Sequence, residues 1–128
     1  MILARTLATL VLLALAAVQP AHADEAALRE IIAKFASSRN FSATEEIVRE
    51  LGATGDVQVE RALTALSDGN LFFRKSDKQV FITTETGKIA KLFDPLTGEA
   101  VGEEPKGGFT KIKVNNSLRR TIRDAISA

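Results

Sequence analysis

Residues 94–99, with the sequence DPLTGE, bring together the kinds of side chain that bind hard cations. Their two carboxylates and one hydroxyl are too few for a calcium site, which needs about six to eight oxygen ligands. Pro95 and Gly98 predict a turn on their own, because proline fixes its φ and glycine adopts positive φ at low cost. We therefore predict a tight corner between two strands here, with no metal ion and no other cofactor.

The chain offers few of the side chains that act as nucleophiles or general bases. It has no cysteine, and its single histidine, His22, lies in a segment that we interpret below as a signal peptide. No Gly-x-Ser-x-Gly motif and no glycine-rich phosphate loop occurs. The sequence therefore predicts that the protein is not an enzyme. One catalytic alternative stays open, a hydrolase that works with carboxylates alone, for which Glu99 and Glu103 are the candidates.

Basic residues are frequent toward the carboxyl end of the chain. An acidic partner or anionic lipid headgroups could bind such a patch, although the alternation of Lys111 and Lys113 with apolar residues is equally typical of a solvated strand face. The chain carries 17 Lys and Arg against 16 Asp and Glu, which gives no support for binding nucleic acid. The basic residues in question are Lys106, Lys111, Lys113, Arg119, Arg120 and Arg123.

The amino-terminal residues follow the order of a secretory signal peptide. Arg5 gives a positive start, residues 7–18 form an apolar run, and Ala21-His22-Ala23 places small residues where signal peptidase cleaves. A run of about a dozen apolar residues is too short for a membrane span, which needs roughly 20. We therefore predict a signal peptide at residues 1–23 and a single small periplasmic domain at residues 24–128, held together without disulfides.

Three helices are predicted at the start of that domain, the first over residues 24–36. Ser42 and Glu45 match a capping box for the second helix, which should end at Gly52. Asp56 can cap the third helix and Gly69 can terminate it. Each helix has an apolar stripe, so short antiparallel helices should pack together as in one unit of a helical-repeat array. The stripes are Leu28/Ile31/Ile32/Phe35, Ile47/Val48/Leu51 and Val59/Ala62/Leu63/Leu66.

A small antiparallel β-meander is predicted after these helices. Short apolar or β-branched runs at residues 71–73, 79–84 and 89–93 are separated by polar turn residues, and residues 109–114 alternate as a final strand. Residues 103–108 contain proline and two glycines and therefore indicate a loop. Phe72 and Phe73 would fill the core on opposite faces of their strand, or mark a docking surface if one of them stays outside.

A terminal helix should begin at Ser117, with Asn115 or Asn116 as its cap. Its apolar stripe, Leu118/Ile122/Ala125/Ile126, is predicted to cover the sheet. The fold class is therefore α+β, with short antiparallel helices followed by a β-meander and a terminal helix.

Three segments, taken in order, resemble a known family. They are DGNLFFRK at residues 68–75, DPLTGE at residues 94–99 and VNNSLRRTIRDAI at residues 114–126. Together they are similar to the periplasmic amino-terminal region of urea-type ABC transporter permeases, relatives of the branched-chain amino-acid permeases. The resemblance implies no transport-path residues, because the membrane-spanning part of that family has no counterpart here. It carries over only fold or docking residues, namely Asp94, Pro95, Gly98, Asn115, Asn116, Arg119 and Arg120.

The resemblance implies a non-catalytic domain that docks to transporter components during the import of urea or a related amide. The chain would be a truncated or separately encoded piece of such a permease, and its partners would be the permease or its solute-binding protein. We expect it in the periplasm, where it would meet the inner membrane only through a partner or an uncleaved signal. The alternative is a free-standing secreted interaction module with another partner.

Overall fold

The structure is a computed structural model that describes residues 20–84 and 87–127, with side chains from residue 24 onward. Within this part of the chain the class is α+β with a terminal helix, which confirms the predicted class. Residues 1–19, most of the predicted signal peptide, lie outside it. The helices are α1 (Pro20–Ala33), α2 (Phe41–Ala53), α3 (Val59–Ser67) and α4 (Asn116–Ser127). The strands are β1 (Leu71–Arg74), β2 (Val80–Ile82), β3 (Ile89–Phe93), β4 (Ala100–Pro105) and β5 (Phe109–Lys111).

The start of α2 differs from the predicted capping box. Asn40 has an extended backbone and its side-chain oxygen accepts a hydrogen bond from the Ala43 amide at 2.8 Å. The prediction of Ser42 as the cap is therefore wrong, since Ser42 lies inside the helix. The side-chain oxygen of asparagine accepts this hydrogen bond as well as that of serine. Asn40 lies two residues before Ser42, so the helix starts earlier than predicted.

The other helix ends follow the sequence only in part. Within the described residues, helix α1 already includes Pro20 and therefore lies partly before the predicted start at residue 24. The prediction of Asp56 as the cap of α3 is wrong, because the helix is preceded by Gln58, and the hydrogen bond that Asp56 accepts from the Gln58 amide at 2.9 Å lies in the turn before it. Gly69 ends α3 as predicted, with φ of 77° and its amide bonded to the Leu66 carbonyl.

The terminal helix α4 packs against α2 and α3, so the prediction that it covers the sheet is wrong. Its buried residues Leu118 and Ile122 join the core formed by the other helices. Gly52 is not the end of α2, which continues to Ala53. Instead it permits a close crossing, because a Cβ atom at Gly52 would lie 2.8 Å from Cβ of Ala125.

The described strands form an antiparallel sheet in the order β4-β3-β2-β1-β5. The predicted loop at residues 103–108 is wrong in its first part, because β4 continues to Pro105 and pairs Glu103 with Lys91 and Glu104 with Ala90. Residues Lys106–Gly108 form a 3₁₀ turn that leads directly into β5. Strand β5 is also shorter than predicted, since it ends at Lys111.

The sheet is rolled. Strands β4 and β5 lie at opposite edges, which in a flat sheet of this size are about 19 Å apart at roughly 4.8 Å per strand. The link from Pro105 to Phe109 can span at most about 15 Å. The roll also lets Arg74 on β1 reach Glu104 on β4, with which it forms an ion pair. This ion pair crosses the concave face of the sheet.

Each face of the sheet has its own apolar cluster. On the concave face the cluster consists only of strand residues, and the Phe81 and Phe109 rings meet edge to face at 6.1 Å. On the convex face Leu71, Val80 and Ile112 join the helical core, and Phe73 packs against it. Phe72 and Phe73 therefore point to opposite faces, as predicted. The members of the concave cluster are Phe72, Phe81, Ala90, Leu92 and Phe109.

Candidate functional site

The DPLTGE corner connects β3 to β4 and closes on itself through Asp94. Its Oδ1 atom accepts hydrogen bonds from the amides of Leu96 at 2.8 Å and Thr97 at 2.9 Å. The Asp94 carbonyl accepts from the Gly98 amide at 2.9 Å, and the Asp94 amide donates to the Glu99 carbonyl at 2.8 Å. The corner is thus a turn whose polar groups are largely satisfied within the segment.

The corner is also fixed to two helices. Nη1 of Arg29 on α1 lies 2.8 Å from Oδ2 of Asp94, and Arg61 on α3 donates from Nη1 to the Leu96 carbonyl at 3.0 Å. Leu96 itself is only 1% exposed and belongs to the main core. Gly98 has φ of 77°, and a Cβ atom there would lie 2.6 Å from Nε of Arg61. This segment therefore anchors the β3–β4 end of the sheet to helices α1 and α3.

The electrostatics of Asp94 follow from these contacts. Burial raises its pKa, but the amide of Thr97, the Arg29 guanidinium and the amide of Leu96 together outweigh burial, so the pKa lies below the ordinary aspartate value. The hydrogen bond to Asp94 in turn raises the pKa of Arg29. Both carboxylate oxygens of Asp94 already have partners. A cation at this corner would have to compete with those hydrogen bonds.

The residues carried over from the terminal segment hold α4 in place. Asn115 accepts a hydrogen bond from the Leu118 amide at 2.8 Å and thereby caps the helix. Asn116 accepts from Nη1 of Arg119 at 3.1 Å, and Nε of Arg119 donates to the Ser67 carbonyl at 3.1 Å. These contacts bind α4 to the end of α3.

The structure does not bring the two sets of carried-over residues together. The corner contacts α3 through Arg61, near the start of that helix, whereas Arg119 contacts Ser67 at its end. Pro95 is buried within the corner. Arg120 is exposed and remains available for a partner on the surface of α4. Most of these residues therefore have a contact within the fold that accounts for their residue type.

A more open site lies between the segment that joins α1 to α2, the start of α2 and strands β1 and β5. We name it the Phe41 groove, and it has a volume of about 480 Å³. Its floor includes the buried residues Phe35 and Ile112, and its walls include Phe73 and Phe41, the latter 43% exposed. The lining residues are Phe35, Ser38, Arg39, Asn40, Phe41, Thr44, Phe73, Thr110, Lys111, Ile112 and Lys113.

The rim of the Phe41 groove is cationic. Arg39 and Lys113 are exposed there, and no acidic residue occurs among the described lining residues. Lys111 also borders the groove, but its ammonium lies 5.7 Å from the centroid of the Phe72 ring, on the concave side of the sheet. We therefore assign the charge of the rim to Arg39 and Lys113.

Sequence reasoning found this site only in part. Phe73 and Lys113 were considered as docking residues, whereas Arg39 and Phe41 were missed. The signal that points to them is an aromatic residue directly after a helix cap and two positions after an arginine, because an apolar side chain that stays exposed can mark an interaction site.

Comparisons of this chain with family models, with curated proteins and with solved structures give no match. The resemblance to urea-type permeases therefore stays a prediction. In residues 20–84 and 87–127, none of the helices has the length and apolar character that crossing a membrane requires.

Proposed function

We propose that the protein is a non-catalytic periplasmic docking domain of a urea-type ABC import system. It would hold the permease or the solute-binding protein at the Phe41 groove. The observation that carries this proposal is the groove itself, because it joins exposed aromatic surface to a cationic rim. The export signal predicted at residues 1–23 and the three ordered segments of the resemblance support the choice of partner.

The chemistry of the groove suits recognition. Exposed aromatic side chains such as Phe41 are the residues that dominate protein interfaces, since they bury a large area when a partner binds. Two of the three described hydroxyls that line the groove, those of Ser38 and Thr44, are bonded to each other and to the backbone. Thr44 donates to Ser38 Oγ at 3.0 Å, and Ser38 donates to the Phe35 carbonyl at 2.9 Å. Neither hydroxyl has a general base among the described lining residues.

Two of the segments that carry the resemblance, DPLTGE and residues 114–126, contact the helices next to the groove and contribute no residue to its described lining. Helix α2, which forms one wall, is held by α4 through the close contact of Gly52 with Ala125 and through a hydrogen bond from Thr121 to Glu45 at 2.9 Å. Helix α1, which leads into the segment that lines the groove, is held by the DPLTGE corner through Arg29. The motifs thus have a role in docking that is structural rather than direct.

Co-purification from the native host after reversible cross-linking tests the proposal. We expect the wild-type chain to recover a urea-type permease or its solute-binding protein. Phe41→Ser and Arg39→Glu should reduce that recovery, since they remove apolar surface and reverse charge at the groove. Arg123→Glu makes the same charge change at an exposed position on α4 and serves as the matched control.

Two outcomes would contradict the proposal. Reproducible absence of both transporter components would leave the free-standing secreted module as the better explanation. Recovery that is lost in Arg120→Glu but kept in Phe41→Ser would move the docking surface from the groove to α4, where Arg120 is exposed.

A further inference from the structure

The two exposed cations at the rim of the Phe41 groove have no described carboxylate partner beside them. Within the described residues, Arg39 and Lys113 form no ion pair, although carboxylates are available to cations elsewhere. Opposite charge placed next to unpaired cations at an interface steers association and fixes orientation. The groove is therefore complementary to an acidic ligand. Cations with a carboxylate partner are Arg29, Lys34, Arg49 and Arg74.

The apolar part of the groove has a definite shape. Phe35 and Ile112 close its floor, and Phe41 and Phe73 stand at its sides. A volume of about 480 Å³ falls within the range of roughly 300–1,000 Å³ that is typical of ligand pockets. It has room for a large aliphatic or aromatic anchor together with the chain that carries it.

Polar groups along the groove distinguish a peptide from a lipid chain. The side-chain amide nitrogen of Asn40 and the Thr110 hydroxyl lie among the apolar side chains, and a peptide backbone can offer them both donors and acceptors. An acyl chain would cover the same groups without hydrogen bonds, which is costly when they lose water. The lining therefore favours an occupant that has its own backbone amides.

We infer that the Phe41 groove binds a short acidic peptide segment of a partner protein, with one large apolar side chain as its anchor. This inference rests on the proposed docking function and specifies the chemistry of the partner. The apolar anchor contacts Phe41 and Phe73, and the acidic side chains that flank it face Arg39 and Lys113. Binding therefore weakens as ionic strength rises, because the cations are exposed.

Selection from a random peptide library displayed on phage tests this inference with the full chain as bait. We expect the enriched peptides to share acidic residues next to a leucine, phenylalanine or other large apolar residue. The affinity of a selected peptide, measured by fluorescence anisotropy, should fall at least about tenfold in Phe41→Ser and in Arg39→Glu. Arg123→Glu should leave that affinity unchanged.

Folding is checked by circular dichroism, and Arg39→Glu keeps the test decisive if Phe41→Ser unfolds, because Arg39 is exposed. Enrichment of neutral or basic peptides, or no enrichment at all, would overturn the inference. Equal loss of affinity in Arg39→Glu and Arg123→Glu would also overturn it, since it would show a general effect of net charge.

Vesicles of phosphatidylglycerol provide the competing probe. Binding to these vesicles that depends on Phe41 and Arg39, without selection of acidic peptides, would assign the groove to anionic lipid instead. The transporter role and the inferred peptide ligand can be refuted independently of each other. Selected acidic peptides without recovery of transporter components would retain the groove chemistry and refute the transporter role, whereas recovery without acidic peptides would refute only the inferred ligand.

Discussion

The DPLTGE corner contacts α1 and the Phe41 groove is lined by the segment that follows α1, but the two sites use polar and apolar groups in opposite ways. In the corner, Asp94 is bonded to amides and to Arg29, and Leu96 is buried. In the groove, Phe41 is partly exposed, and Arg39 has no described carboxylate partner. The polar and apolar groups of the corner are thus largely bonded or buried within the fold, whereas Phe41 and the cationic side chains of the groove stay exposed.

This contrast separates a motif that stabilises the fold from a surface for which we propose a role in binding a partner. The corner is the more conspicuous in sequence, since proline, glycine and two carboxylates occur together. The contacts of these residues show that they hold the sheet against the helices. Substitutions in the corner should therefore change the free energy of unfolding, and substitutions in the groove should change mainly binding.

The largest expected effect is that of Leu96→Ala. Leu96 is 1% exposed, and removing such a side chain from a packed core costs about 2–5 kcal/mol. Urea denaturation should show a lower free energy of unfolding with a similar dependence on denaturant. Phe41→Ala is the matched comparison in the groove, where about 1 kcal/mol or less is expected because Phe41 is 43% exposed. An equal decrease in the free energy of unfolding in the two variants would contradict the contrast between corner and groove.

Gly98→Ala should have an intermediate effect. Its positive φ of 77° costs about 1–2 kcal/mol for alanine, and the new Cβ would lie 2.6 Å from Nε of Arg61. We expect a total loss of about 1–3 kcal/mol in the same denaturation assay. Gly55→Ala is the control, because Gly55 has φ of 65° but nothing within 4 Å of a Cβ. If both variants lose the same stability, Arg61 does not hold the corner in the way described.

Asp94→Asn should have the smallest effect, and one that depends on pH. The pKa of Asp94 is lowered in the folded protein, so its charge stabilises the fold above the unfolded value of about 3.9. That contribution disappears as the pH falls through the folded pKa. The variant keeps the amide acceptor but loses the charge opposite Arg29, so we expect a deficit of about 1 kcal/mol or less at pH 7.

The pH dependence is measured as the difference between wild type and variant in the denaturation midpoint from pH 7 to pH 3. This difference should shrink below about pH 4. Wild type also contains Asp77, whose pKa is lowered to about 2 chiefly by its hydrogen bond to Arg74, but both proteins share that group and it cancels. A difference that grows as the pH falls would contradict the ion pair with Arg29.

Local patterns in the sequence predicted much of the helical part. Ile47, Val48 and Leu51 are buried at the predicted spacing, and Gly69 ends α3 with positive φ. These features depend on residues close in sequence, so they can be read without the fold. The extent of strand β4 was not predicted, because all its residues are exposed or half-buried and two of them are glutamates. It is defined by pairing with β3, which is an interaction between strands.

The sequence by itself determined the class of the fold, the positions of most helices and the tight corner, because apolar spacing, caps and glycines act over a few residues. Only the tertiary structure decided that α4 lies on the helices and that the sheet rolls. It also decided that Arg39 and Phe41 meet Phe73 and Lys113 at one groove. These residues come from distant segments, and no local rule relates them. Their meeting depends on the packing of whole elements, which buries the corner and leaves the groove open.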